Sequence, residues 1–175
     1  GLSVMGRSQY IDNDMINIAA GIAVNYFPIH KFGFNPQIQN IEETVWQGGG
    51  IYAYPSSPVN MTVTSASGAT DSGVQIQIEG LDQNWDRAEE IVTLNASGTA
   101  TTTNTFIRIN RTFTAGDTAA AGQVNTSNNS INYAVQTALD QQTLQCVYSV
   151  PRGFSAYLVQ NDISIHTENA IKFGE

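Results

Sequence analysis

From about residue 58 onward, apolar and polar positions alternate with a period of two, the mark of strands that bury one face. Val59, Met61 and Val63 alternate with Asn60, Thr62 and Thr64; in residues 74–79, Val74, Ile76 and Ile78 alternate with Gln75, Gln77 and Glu79. Turn formers in GLDQNW, followed by the apolar run at 90–94, predict a long β-hairpin over residues 73–95. Further strands are expected at 103–110, 122–126, 131–135, 143–150 and 154–160, separated by loops at 95–98 and 114–122. The sequence VPRG at 150–153 has proline second and glycine fourth, a type I turn pattern. Short strands at this spacing predict an all-β chain, an antiparallel β-sandwich or barrel-like domain over residues 57–168. Its expected core is Val59, Met61, Val63, Val74, Ile76, Ile78, Ile107, Ile109, Cys146 and Leu158.

Helical periodicity is confined to residues 12–26, where Met15, Ile18, Ala19 and Ile22 form one stripe and Asp12 or Asp14 can cap the start. Gly21 and Asn25 make such a helix marginal without a neighbour to pack on. The chain therefore divides into an extended or partly helical N-terminal arm (1–29), an extended lead-in segment (30–56) and a β-sandwich domain (57–175). Between arm and domain lies HKFGFNP, residues 30–36. The residue before Pro36 disfavours helix and Gly33 permits a turn, so this stretch ends any helix and redirects the chain. Phe32 and Phe34 share a face if it is extended, and with Tyr26 and Phe27 they are too much apolar surface to leave in water. They are expected to dock on a neighbouring subunit together with Ile18, Ile22 and Val24 of the arm; the alternative is that both phenylalanines plug the bottom of their own sandwich. Ile18, Ile22, Phe27, His30, Phe32, Phe34 and the hairpin-tip Trp85 are the candidate interface residues.

Charge narrows the function classes. Seven Lys and Arg against fifteen Asp and Glu give a net charge of −8, which supplies no basic cluster for a phosphate backbone, so no nucleic-acid partner is expected. The most apolar run, residues 15–27, falls short of the ~20 residues needed to span a bilayer and contains two asparagines, so no membrane partner is expected either. Arg7, followed by Asp12 and Asp14, makes a poor signal-peptide n-region. With Cys146 alone, no intrachain disulfide can form.

Catalysis needs groups whose roles interlock, and the inventory is thin. His30 and His166 lack Cys, Asp or His neighbours at ligand spacing. Asp82, Asn84 and Asp86 offer oxygens at alternate positions as in the start of an EF-hand loop, but Arg87 replaces the loop glycine and Thr93 the bidentate glutamate. Paired carboxylates occur at Glu42 and Glu43, Glu89 and Glu90, and Asp82 and Asp86; adjacent strand residues point to opposite faces, so Glu89 and Glu90 cannot line one cleft. Sugar stacking is the stronger rival. Of Trp46, Tyr52, Tyr54 and Trp85, only Trp85 is expected to be exposed. The reading is a chain with no enzyme activity, no cofactor and no metal.

HKFGFNP, ETVW at 43–46, GGG at 48–50, IEGLD at 78–82, TNTFIRIN at 103–110 and VPRGFSAYL at 150–158 together resemble a family of structural proteins from tailed-bacteriophage particles, over residues 30–160. The resemblance implies a virion structural protein. Its first implied place is the outer surface of the capsid, as a decoration or cement protein bound to the major capsid protein and associated with itself as a homotrimer. A tail, collar or fibre component that binds host-surface glycans is the alternative. A polar Thr- and Asn-rich strand face agrees with a docking role, because few long side chains lose rotamer freedom on binding.

Overall fold

The computed structural model describes residues 14–23 and 25–165; Arg7, Asp12, Val24 and His166, singled out above, lie outside them. One short helix, α1 (Asp14–Ala19), precedes seven strands: β1 (Val59–Ser65), β2 (Gln75–Leu81), β3 (Arg87–Thr93), β4 (Thr99–Phe106), β5 (Arg108–Thr114), β6 (Val124–Asn128) and β7 (Ile131–Gln136). They form two antiparallel sheets, ordered β4-β1-β6-β7 and β3-β2-β5. The chain is all-β and sandwich-like, as its alternation predicts.

The core lies between the sheets. Met61 and Val63 from β1, Ile76 and Ile78 from β2, Phe106, Ile109, Val124 and Ala134 are all within a few per cent of complete burial, with Val74 beside them and Val59 packed at the margin. The hairpin over 73–95 forms as expected, with Gln75 paired to Thr93 and Leu81 to Arg87. A buried carboxylate staples one end: Asp71 accepts hydrogen bonds from the Ser65 hydroxyl and from the amides of Ala121 (2.8 Å) and Gly122 (3.0 Å). Burial alone would raise its pKa, but these three donors outweigh it and hold the carboxyl below its ordinary value.

The seam between β3 and β4 is closed by side chains. Where the β1–β4 register slips, the Asn60 amide donates to the carbonyls of Thr102, Thr103 and Asn104 (2.9 to 3.2 Å), while the Glu90 carboxylate accepts from the amides of Thr103 (2.8 Å) and Asn104 (2.7 Å). The neighbouring Glu89 faces away, towards the Gln77 amide, so the two glutamates serve opposite faces as the strand geometry requires.

Four expectations are corrected. Residues 103–110 are not one strand: the chain breaks at Ile107, β4 pairing with β1 and β5 with β2, and the phase of the alternation slips so that Phe106 and Ile109 are buried while Ile107 is only half-buried. Residues 143–150 join neither sheet. They run along the outer edge of β5 through the Thr143 amide to the Thr112 carbonyl (2.9 Å) and a bridge from Phe113 to Gln142, with Thr143, Gln145 and Val147 turned inward; Cys146 faces out and is exposed. The following turn closes one residue later than the type I pattern places it, from the Phe154 amide to the Pro151 carbonyl, with Gly153 third at φ +81°. Beyond it, residues 154–160 are not a strand, and Leu158, expected in the core, is 84% exposed.

A second, smaller core of Trp46, Tyr52, Val135 and Val147 sits to one side. The Trp46 indole donates to the Gly49 carbonyl (2.7 Å) and meets Tyr52 edge-on at 5.0 Å, and the Tyr52 hydroxyl donates to the Tyr133 carbonyl (2.8 Å). Burial pushes the Tyr52 phenol well above its ordinary pKa. Trp46 and Tyr52 are thus structural, while Tyr54 is half-exposed.

Candidate interaction surface

The segment between α1 and the second core crosses the body as an extended strap with two faces. Across residues 30–35 burial alternates: His30, Phe32 and Phe34 point to solvent, and Lys31, Gly33 and Asn35 are turned towards the body. Each inward position has its own reason. Lys31 Nζ donates to the Asn110 carbonyl of β5 (2.5 Å), which also receives the Gln145 amide (3.2 Å). Burial, reinforced by the Arg111 charge and opposed by Cys146 and Glu79, brings the Lys31 pKa down to about 8. At Gly33 a Cβ would stand 2.6 Å from Cys146 Sγ and 2.7 Å from the Val45 carbonyl oxygen, so only glycine lets the strap lie this close. Asn35 donates to Glu43 (3.2 Å), and the Phe34 amide donates to the Leu144 carbonyl (3.3 Å).

The outward face is apolar. Phe27, Phe32, Phe34, Ile38 and Ile41 are each between 54% and 67% exposed. Phe32 and Phe34 do share a face, as expected, but it is not packed on their own sandwich, which removes the plug alternative. The arm is less helical than its periodicity predicts: α1 ends at Ala19, Met15 is half-exposed, and Asn17 is the buried residue, with Ile18 and Ile22 half-buried.

Arginines gather the aromatics at the β2–β3 end. Leu81 is flanked in register by Arg87 and Arg108. The Arg87 guanidinium lies between Phe27 (5.8 Å) and Phe154 (5.3 Å), so the strap and the segment after the last turn converge on it. Arg108 lies 4.6 Å from both the Tyr54 and Trp85 rings and donates to the Ile107 carbonyl (2.6 Å). Trp85, at φ +65°, is 40% exposed at the hairpin tip, and its carbonyl accepts the Arg152 amide, whose side chain pairs with Asp86 (3.0 Å).

Asp82 Oδ1 accepts the amides of Asn84 (2.8 Å) and Asp86 (3.0 Å), which makes its carboxylate a loop brace. Among the described residues, no three His, Cys, Asp or Glu side chains converge on a point. Two open grooves lie on the surface, of about 430 Å³ beside Arg111 and Asp140 and of about 400 Å³ beside Asp82 and Arg87.

Of the candidate interface residues, Phe27, His30, Phe32, Phe34 and Trp85 lie on the surface, and Phe27 is drawn towards the Trp85 end by Arg87. The sequence reading missed the C-terminal apolar residues Tyr157, Leu158, Val159, Ile163 and Ile165, each at least 59% exposed, because their composition matches that of a core strand. It also missed Lys31, Arg87 and Arg108, for which an uncommon cation in an acidic chain was the available signal. Comparison with family models, with curated proteins and with solved structures returns no match.

Proposed function

We propose that this chain is a non-enzymatic virion structural protein that decorates the outer surface of a tailed-phage capsid, bound to the major capsid protein and to itself as a homotrimer. The observation that carries the reading is the strap: a row of aromatic and aliphatic side chains held out to solvent by a backbone that is itself pinned to a small β body. Such a row is far larger than the scattered apolar residues of an ordinary monomer surface and suits protein contact. The acidic charge suits an outer face, away from packaged DNA.

The test is copy number and occupancy on purified particles. A capsid decoration protein is recovered at on the order of hundreds of copies per particle, following the repeated symmetry of the shell, and rebinds shells stripped of it. Recovery at tens of copies or fewer, on tails alone, sinks the capsid placement.

One observation favours the second reading, a tail, collar or fibre component that binds host glycans: Trp85 is exposed at a hairpin tip and backed by Arg108. Binding to a glycan array that Trp85→Ala abolishes would select it.

A further inference from the structure

We infer that the β5–β7 end of the interior is a water-binding chamber, in which Gln136 Oε1, Gln145 Oε1 and the hydroxyls of Thr112 and Thr126 hold internal water. Cross-strand partners share a face, so the registers say what lines the space between the sheets. Along β1 and β2 the lining is apolar, with Val63, Ile76 and Ile78 fully buried. One strand further on it turns polar: Thr126 stands opposite Val63, Thr112 opposite Ile78, Thr114 opposite Ile76 and, a strand beyond, Gln136 opposite Val124. Thr143 and Gln145, turned inward from the segment along the outer edge of β5, extend this row, and all of these polar residues are buried.

Hydrogen-bond chemistry selects the occupant. Gln136 Nε2 donates to Thr114 Oγ1 (2.9 Å) and to the Asp140 carbonyl (2.5 Å), and Gln145 Nε2 donates to the carbonyls of Asn110 (3.2 Å) and Ile109 (3.4 Å). A carbonyl can only accept, so neither amide can be turned round, and each amide oxygen is directed away from those carbonyls. Both oxygens are sealed from solvent with no donor among the described residues, and the Thr112 and Thr126 hydroxyls are sealed with no partner of either kind. Left dry, each would carry the desolvation cost of an unmade hydrogen bond, and folded proteins meet such groups with ordered water. Water fits this set: it donates to the amide oxygens, and it both donates to and accepts from hydroxyls. Thr112 is placed to serve both glutamines. Thr114, which holds Gln136, is two residues along the same face of β5, and Thr143, whose hydroxyl bonds the Thr112 main chain (3.2 Å), is two residues from Gln145. A metal cation is disfavoured, because the Lys31 ammonium shares the Asn110 carbonyl with Gln145. Exchange has a route, since Thr114 and Asp140, which anchor the Gln136 amide, also line the groove beside Arg111. None of this depends on the role of the chain in a particle.

A high-resolution crystal structure of the unsubstituted chain tests it. Water density is expected within hydrogen-bond distance of Gln136 Oε1 and of Gln145 Oε1, with at least one peak also in reach of the Thr112 hydroxyl. Empty density at both amide oxygens overturns the inference, and so does a metal ion there, recognised by contacts of about 2.4 Å to several oxygens. Thr112→Val and Thr126→Val supply a second measurement, in solution. Each swap keeps the shape of the side chain and removes a hydroxyl that bonds no protein group, so in a dry interior the urea midpoint should rise as an unpaired polar atom leaves. With water bound, each swap strips that water of a partner, and the midpoint should fall by roughly 0.5 M. A rise in both variants overturns the inference.

Discussion

Lys31 Nζ and the main-chain carbonyl of Asn110, 79 residues apart in sequence, are joined by a 2.5 Å hydrogen bond that ties the strap to β5. The tie is costly when charged, because the ammonium is largely desolvated and faces the Arg111 guanidinium, which together bring its pKa to about 8 from an ordinary 10.5. Between those values the unfolded chain binds more protons than the folded one, so this group's contribution to stability rises with pH from about 8 to 10.5 and is flat below. The gain is at most about 3 kcal/mol, and it should be visible as the difference in urea midpoint between the unsubstituted chain and Lys31→Met. A difference that stays constant from pH 7 to 10 would contradict it.

Asp71 behaves in the opposite sense. Its carboxyl is held below the ordinary range by Ser65 and two amides, so its stabilisation is complete above the unfolded pKa near 3.8 and is lost as pH falls through the lower folded value. Asp71→Ala leaves the buried amides of Ala121 and Gly122 without acceptors and should cost about 2 to 4 kcal/mol at neutral pH. The loss should shrink at strongly acid pH, measured by chemical denaturation.

Gly33→Ala should lift the strap and leave the sandwich intact. The new Cβ meets Cys146 Sγ, the Val45 carbonyl and the Cys146 amide, all within 3.0 Å. Hydrogen exchange should accelerate at the Phe34 and Cys146 amides, which donate to Leu144 and Val45, with protection at Ile76 and Ile78 unchanged. The cost is about 1 to 3 kcal/mol, from overpacking against backbone that cannot yield.

Chelator or millimolar calcium should move the melting temperature by less than about 1 °C, because Asp82 is already engaged by two loop amides. Asp82→Ala, by contrast, should loosen the hairpin tip and cost about 1 kcal/mol, read from the same melting curves.

β1 and β2 were legible because alternation alone decides which face is buried, and their apolar rows are unbroken. The corner at Ile107 was not: residues 103–110 have strand character throughout, and the switch between sheets depends on which strands lie alongside. The same holds for residues 154–160, whose composition specifies a strand but not a partner. In the strap, the shared face of Phe32 and Phe34 followed from extension, whereas its direction did not. That depends on the Asn110 carbonyl and the Cys146 backbone, which reach Lys31 and Gly33 from far along the chain.

The sealed seam between β3 and β4 bears on crowding. Glu90 occupies the Thr103 and Asn104 amides of β4 that an exposed edge would offer to another strand, and it places a carboxylate there. For any protein held at high local concentration, such cover disfavours edge-to-edge pairing at that margin.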